Sequence, residues 1–246
     1  MGPSQIDFGP LARRYDELRD SGELWWEAVD VIVREGDLRG RRVLDVGCGT
    51  GALAAALANR YGCKVWGLDA SPEMIQVARE RVPAGVGLRV GQAESLEFKD
   101  EWFERAVMTF AVHHVDRPKA FSEIHRVLVP SGRLAIGTFD PTHFDDYYLN
   151  RYFPSIPAID RARFPTAGTL EDELRAAGFD AVRFVRFTQR DLLSRATVLE
   201  RIRNRHISTF QLIGEDEYRL GLERAEQELP ESVEHVQEWL VAVAER

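Results

Sequence analysis

Val43-Leu44-Asp45-Val46-Gly47-Cys48-Gly49-Thr50-Gly51 decides how this chain reads. The short apolar run reads as a strand, the spaced glycines as a turn, and the Ala/Leu-rich stretch at 52–61 as a helix. Glycines at such a turn allow tight backbone turning and close approach of a ligand. The helix N-terminus that follows offers unpaired N–H groups to a carboxylate or phosphate. Residues 47–52 also satisfy the loose dinucleotide pattern G-x-G-x-x-G/A. Asp45, inside the apolar run, weighs between the two. A carboxylate there repels a pyrophosphate and favours a ligand that carries positive charge.

Outward from this stretch the alternation repeats. Residues 64–68 read as a second strand closed by Asp69, an acid suited to ribose hydroxyls at that point. Ser71 and Pro72 read as the N-cap and first position of a helix running to about 82. Further strands are expected at 86–90, 103–110 and 133–139, with a helix at 118–128. Strands alternating with helices predict an α/β protein with a mostly parallel sheet and helices on both faces. Beyond that core, residues 140–168 read as a loop-rich cover and 169–177 as a helix stopped by Gly178. A strand is expected at 181–187, two or three helices within 189–229, and a final strand at 234–244. The whole reads as one domain, 1–246. A helical cover (1–36) precedes the cofactor core (40–140), and insertions at 140–168 and 188–232 cover the substrate.

Composition narrows the function classes. The chain has 246 residues, 44% hydrophobic and 29% charged, which is too apolar for a disordered protein. Its net charge of −8 argues against holding a nucleic-acid backbone over a broad surface. No apolar run reaches the length of a membrane span, and no secretory signal is visible. Two cysteines are too few for a disulfide framework or a four-thiolate zinc site, so a reducing cytoplasm is the expectation. No metal-ligand spacing is visible.

Four stretches together resemble the class I S-adenosylmethionine-dependent methyltransferases. Residues 43–51 are similar to the family's first motif, and Gly67-Leu68-Asp69-Ala70-Ser71-Pro72-Glu73-Met74 to its second. Gly91-Gln92-Ala93-Glu94-Ser95-Leu96-Glu97-Phe98 resembles the G-D-A-E-x-L-P-F stretch. Phe110-Ala111-Val112-His113-His114-Val115, followed by residues 123–132, resembles the ubiquinone/menaquinone-type subgroup. The resemblance covers most of residues 40–140. It implies a Rossmann-like, doubly wound, seven-stranded sheet with an antiparallel last strand, and S-adenosylmethionine as methyl donor. It also implies roles. Asp45 and the backbone of Gly47, Cys48, Gly49 and Gly51 hold the methionine part, and Asp69 takes the ribose. Ala70 and Met74 flank the adenine, and Ala93 meets its edge. Glu94 stands behind them, and Phe110 borders the sulfonium. Tyr15, in Arg14-Tyr15-Asp16, resembles a tyrosine that closes over the cofactor. Gln92 departs from the pattern, which has Asp there; its amide oxygen can still face the adenine amino group.

The acceptor is less legible. His113 and His114, just past the fourth strand, read either as general-base candidates or as packing histidines. His143 and Tyr147 follow the fifth strand on the same rim, and an exposed polar loop is their plainer reading. The arginines at 183, 186, 190, 195, 201, 203 and 205 precede an acidic stretch at 215–234. Either the two segments pair their charges, or Arg201, Arg205 or His206 reaches an anionic small-molecule acceptor. Trp25, Trp26, Phe153 and Phe164 line an apolar pocket or pack in the core. A nicotinamide-dependent oxidoreductase and a non-catalytic cofactor-binding protein of the same fold are the competing readings.

Overall fold

Side chains along a strand alternate between the two faces of a sheet, and here each face meets its own layer of helices. The computed structural model describes residues 6, 7, 9, 12 and 22–246. Its strands are β1 (Arg42–Val46), β2 (Lys64–Asp69), β3 (Gly87–Val90), β4 (Phe103–Thr109), β5 (Leu128–Phe139), β6 (Ala181–Ser194) and β7 (Ser232–Glu245). They form one seven-stranded sheet in the order β3-β2-β1-β4-β5-β7-β6. Strands β1 to β5 pair in parallel, and β7 runs antiparallel to both β5 and β6. This is the Rossmann-like sheet with an antiparallel last strand.

Leu44, Val46, Ala106, Met108, Leu134 and Ile136 point to one face, where α4 (Arg117–Val127) and α6 (Ala167–Ala176) cover them. Val43, Val107 and Ala135 point to the other, under α1 (Glu23–Gly36) and α2 (Ala52–Tyr61). Burial on both sides is why these strands read as near-continuous apolar runs. Parallel pairing brings the carboxyl ends of β1, β2, β4 and β5 to one rim. There α3 (Pro72–Arg81) starts at Ser71, whose hydroxyl accepts the Met74 N–H at 3.2 Å, as the Ser-Pro pair predicts.

Three segments differ from the sequence expectation: β5 begins at Leu128 rather than 133, and two later stretches depart further. Residues 140–168 are not mainly loop: they hold 3-10 turns at Pro141–Asp146 and Tyr148–Arg151 and the helix α5 (Ile156–Arg163). Pro141 and Pro157 occupy first-turn positions, where a missing N–H costs nothing, so they start helices rather than break them. Residues 189–194 are strand, not helix. β6 continues to Ser194 because β7 begins at 232 and pairs with it to the end, Ser194 opposite Ser232. Only then come α7 (Arg195–Arg203), a 3-10 turn at Ser208–Gln211 and α8 (Glu215–Glu228). A third apolar cluster, including Phe153, Ile202, Phe210 and Tyr218, packs these elements together.

Candidate functional site

The glycine loop after β1 has the backbone its sequence demands. Gly47, Gly49 and Gly51 have φ of +72°, +52° and +76°, the left-handed region that favours glycine. A Cβ on Gly47 would lie 2.5 Å from the Ala111 Cβ. Gly47→Ala is therefore expected to lose at least about 2 kcal/mol from backbone strain and overlap, read as a lower urea midpoint at unchanged slope.

Two carboxylates flank the loop. Asp69, at the end of β2, accepts the Gly49 N–H at 2.8 Å on one oxygen and the Ser71 N–H at 2.9 Å on the other. Burial still holds its pKa above the ordinary carboxylate value, against these donors. Asp45 is 1% exposed, and its Oδ2 is buried with no hydrogen-bond partner. Burial first, and the Asp69 charge second, push its pKa up to about 7. The same surroundings push the Cys48 thiol up, so it stays protonated.

Beyond the loop lies a chamber of ≈1030 Å³. Phe110, Phe139 and Trp239 form its aromatic floor, with Phe110 ring centroids 4.7 and 4.8 Å from the other two. Phe110 has φ of +53°, and its N–H donates to the Gly137 carbonyl at 2.9 Å. His113 forms a side wall, stacked on Phe164 with centroids 3.8 Å apart. Arg201, Tyr147 and Asp160 also line the chamber. Among the described residues no helix is long and apolar enough to cross a membrane.

Known proteins share this architecture. A family model described as "Methyltransferase domain" matches residues 44–136. The ubiquinone/menaquinone biosynthesis C-methyltransferase UbiE of Bordetella avium is 33% identical over 74% of this chain and 81% of its own. The O-methyltransferase cnsE of Penicillium expansum is 35% identical over 62% of this chain and 57% of its own. A solved structure from Anabaena variabilis, described as a candidate methyltransferase of an antibiotic biosynthesis pathway, superposes with a TM-score of 0.71. It is 24% identical and covers 88% of this chain and 96% of its own. The chain belongs to the class I S-adenosylmethionine-dependent methyltransferases.

S-adenosylmethionine is accordingly the methyltransferase's cofactor, and the local geometry fits it. A buried carboxylate oxygen without a donor suits a cationic ammonium group, and a carboxylate at the end of β2 suits a ribose diol. Around it, Met74 and Ala93 are buried, Ala70 and Gln92 are exposed, and the Glu94 carboxylate accepts the Asp116 N–H at 2.7 Å, pinning the start of α4. Tyr15 lies outside the described residues.

The acceptor-side candidates separate. His113, His143, Tyr147, Arg201 and His206 line the chamber, as do Trp25, Trp26 and Phe164. His114 instead faces Arg163, its Nδ1 3.5 Å from Nη2. Phe153 is fully buried in the third apolar cluster. Arg205 is turned away from the chamber. Its guanidinium donates to both Glu215 oxygens at 2.7 Å and stacks 3.6 Å over Tyr218. The pairing of the two segments holds for Arg190, Arg195, Arg203 and Arg205, which meet Glu234, Glu231, Glu226 and Glu215; Arg183 and Arg186 meet carboxylates outside the acidic stretch, Glu35 and Asp140, so each of these six has a carboxylate partner. Arg201 does not, among the described residues. Sequence reasoning missed Asp160, Arg163 and Thr209. The i,i+3 spacing of the first two hints at an ion pair and says nothing of a chamber.

Proposed function

We propose that this methyltransferase methylates a small organic anion held in the chamber beside the glycine loop. The observation that supports it most is Arg201, a chamber-lining arginine left without a carboxylate while its neighbours in sequence are paired. A half-buried guanidinium without a counter-ion is costly, and an anionic ligand removes that cost. The aromatic floor suits an apolar body on the same ligand.

Bound S-adenosylmethionine supplies a methyl group already activated by a positively charged sulfur. The chain's own work is to bind, align and exclude water. Asp45 and the loop backbone hold the amino-acid end, Asp69 the ribose, and Met74, Ala70, Gln92 and Ala93 the adenine. Phe110 borders the reacting centre and His113 gives the acceptor a flat wall. Alignment of this kind contributes on the order of 7–11 kcal/mol in favourable cases.

Calorimetry tests the reading in two steps. S-adenosylhomocysteine is expected to bind the free protein and NAD is not. Benzoate, an apolar ring with one carboxylate, is then expected to bind the S-adenosylhomocysteine complex. Arg201→Met should weaken benzoate about tenfold, the loss of one charge-assisted contact, and Arg205→Met should leave it unchanged. Unchanged affinity in Arg201→Met would remove the anionic acceptor.

A further inference from the structure

Asp160 is a carboxylate that none of these roles uses. It lies on α5, lines the chamber and has a side chain only 14% exposed. Both of its protein donors land on the same oxygen. The Thr209 hydroxyl donates to Oδ1 at 2.6 Å, and Arg163 Nη1 approaches Oδ1 at 3.4 Å. No described residue donates to Oδ2. Arg163 is a divided partner. Its guanidinium also donates to Thr209 Oγ1 at 3.3 Å and Ser208 Oγ at 3.1 Å, and its Nε is buried with no partner.

Asp160 is therefore fixed in place on one oxygen and lacks a donor on the other, at the wall of a ligand-sized space. A carboxylate oxygen that lines such a space takes its donor from whatever fills it, and here a ligand can provide one. Burial holds the Asp160 carboxyl above the usual carboxylate range, which makes it a better proton acceptor than an exposed acid. The Tyr147 hydroxyl feels the charges of both Asp160 and Arg201, so both groups act on the same part of the chamber.

We propose that Arg201 and Asp160 are the two poles of the acceptor site. Arg201 takes the acceptor's anionic group and Asp160 takes its proton-bearing group. The acceptor class is then a small organic acid that carries a hydroxyl or amino group, and the methylated atom is that oxygen or nitrogen. This rests on the methyl-transfer reading above. In the step, a lone pair of the oxygen or nitrogen forms the new bond to the methyl carbon. The carbon–sulfur bond breaks with its electron pair going to sulfur. The proton of the hydroxyl or amino group passes to Asp160 Oδ2.

The test is a calorimetric comparison of benzoate, 4-hydroxybenzoate and 4-aminobenzoate on the S-adenosylhomocysteine complex. The hydroxyl and amino probes are expected to bind the wild type about tenfold tighter than benzoate, the value of a hydrogen bond to a charged group. In Asp160→Asn the three probes should fall within about threefold of one another, because a neutral amide makes a weaker contact than a carboxylate. S-adenosylhomocysteine affinity should stay at the wild-type value. Thr209→Val keeps the carboxylate and should keep the preference, which separates loss of the charge from disturbance of α5. Equal affinity of the three probes for the wild type, absence of binding included, overturns the proposal. So does a preference that survives in Asp160→Asn. Failure of the wild type to bind S-adenosylhomocysteine is a different result and strikes the methyl-transfer reading itself.

Discussion

Asp45→Asn is expected to make the unliganded protein more stable at pH 8 while removing most of its affinity for S-adenosylhomocysteine. The two effects share one cause. Asp45 is buried, its Oδ2 has no donor, and Asp69 is a second negative charge nearby. In the unfolded chain its carboxyl ionises near the ordinary 3.8; in the fold it keeps its proton to about 7. Between these values unfolding releases a proton, so this residue's contribution to stability falls as pH rises and stays lost above about 7. A shift of this size corresponds to a ceiling on the order of 4 kcal/mol. Asparagine has no proton to lose and is nearly the same shape. Its advantage should be largest at pH 8, with Tm raised by about 5 °C or more, and should vanish below pH 4. The ionised carboxylate is the form that receives a cationic amine. Wild-type affinity should therefore rise between pH 6 and 8, whereas Asp45→Asn should bind about 100-fold more weakly with no such rise. A variant less stable than the wild type at pH 8 would show that Asp45 is satisfied without ligand.

Asp69→Ala is expected to cost about 100-fold or more in S-adenosylhomocysteine affinity, since a carboxylate that accepts two ribose hydroxyls contributes two charge-assisted bonds. The loss has a second source in the free protein. Asp69 is the group that accepts the Gly49 N–H at 2.8 Å, so its removal also loosens the loop that would meet the ligand. Asp69→Asn separates the two. Its amide oxygen can take one of the N–H donors at Gly49 and Ser71, but its own NH₂ must then face the other, so an intermediate loss of about tenfold is expected. Removing the Asp69 charge also removes one of the two causes that raise the Asp45 pKa. In Asp69→Ala the stability change attributed to Asp45 should therefore move to lower pH, as Tm measured across pH 4–8 will report. Affinity within threefold of wild type would mean that the ribose is held elsewhere.

The glycine-loop side of the molecule was legible because its information is local. Asp45, the three glycines and Asp69 sit within two adjacent strand–turn–helix units, and the glycines' positive φ values and the Ser71 cap follow from residue type alone. The seven strands and the antiparallel last one were expected from the resemblance and are what the pairing shows. Prolines misled in residues 140–168, because at a first helical turn they begin structure instead of ending it. The reach of β6 to Ser194 depended on a partner strand some forty residues later in the chain, which no window along 189–194 contains.

The acceptor side was decided by tertiary structure. Arg201 and Arg205 look alike in sequence, four residues apart in one basic run. Chain folding gives Arg205 the Glu215 carboxylate and the Tyr218 ring, and leaves Arg201 on the chamber wall. Asp160 and Thr209 carry no motif, yet the packing of α5 against the turn at Ser208–Gln211 brings their side chains to 2.6 Å. The sequence by itself determined where the glycine turn forms, because backbone conformation and capping are set by near neighbours. Only the tertiary structure determined which charges are spent on each other and which remain for a ligand, because that depends on contacts between segments far apart in the chain.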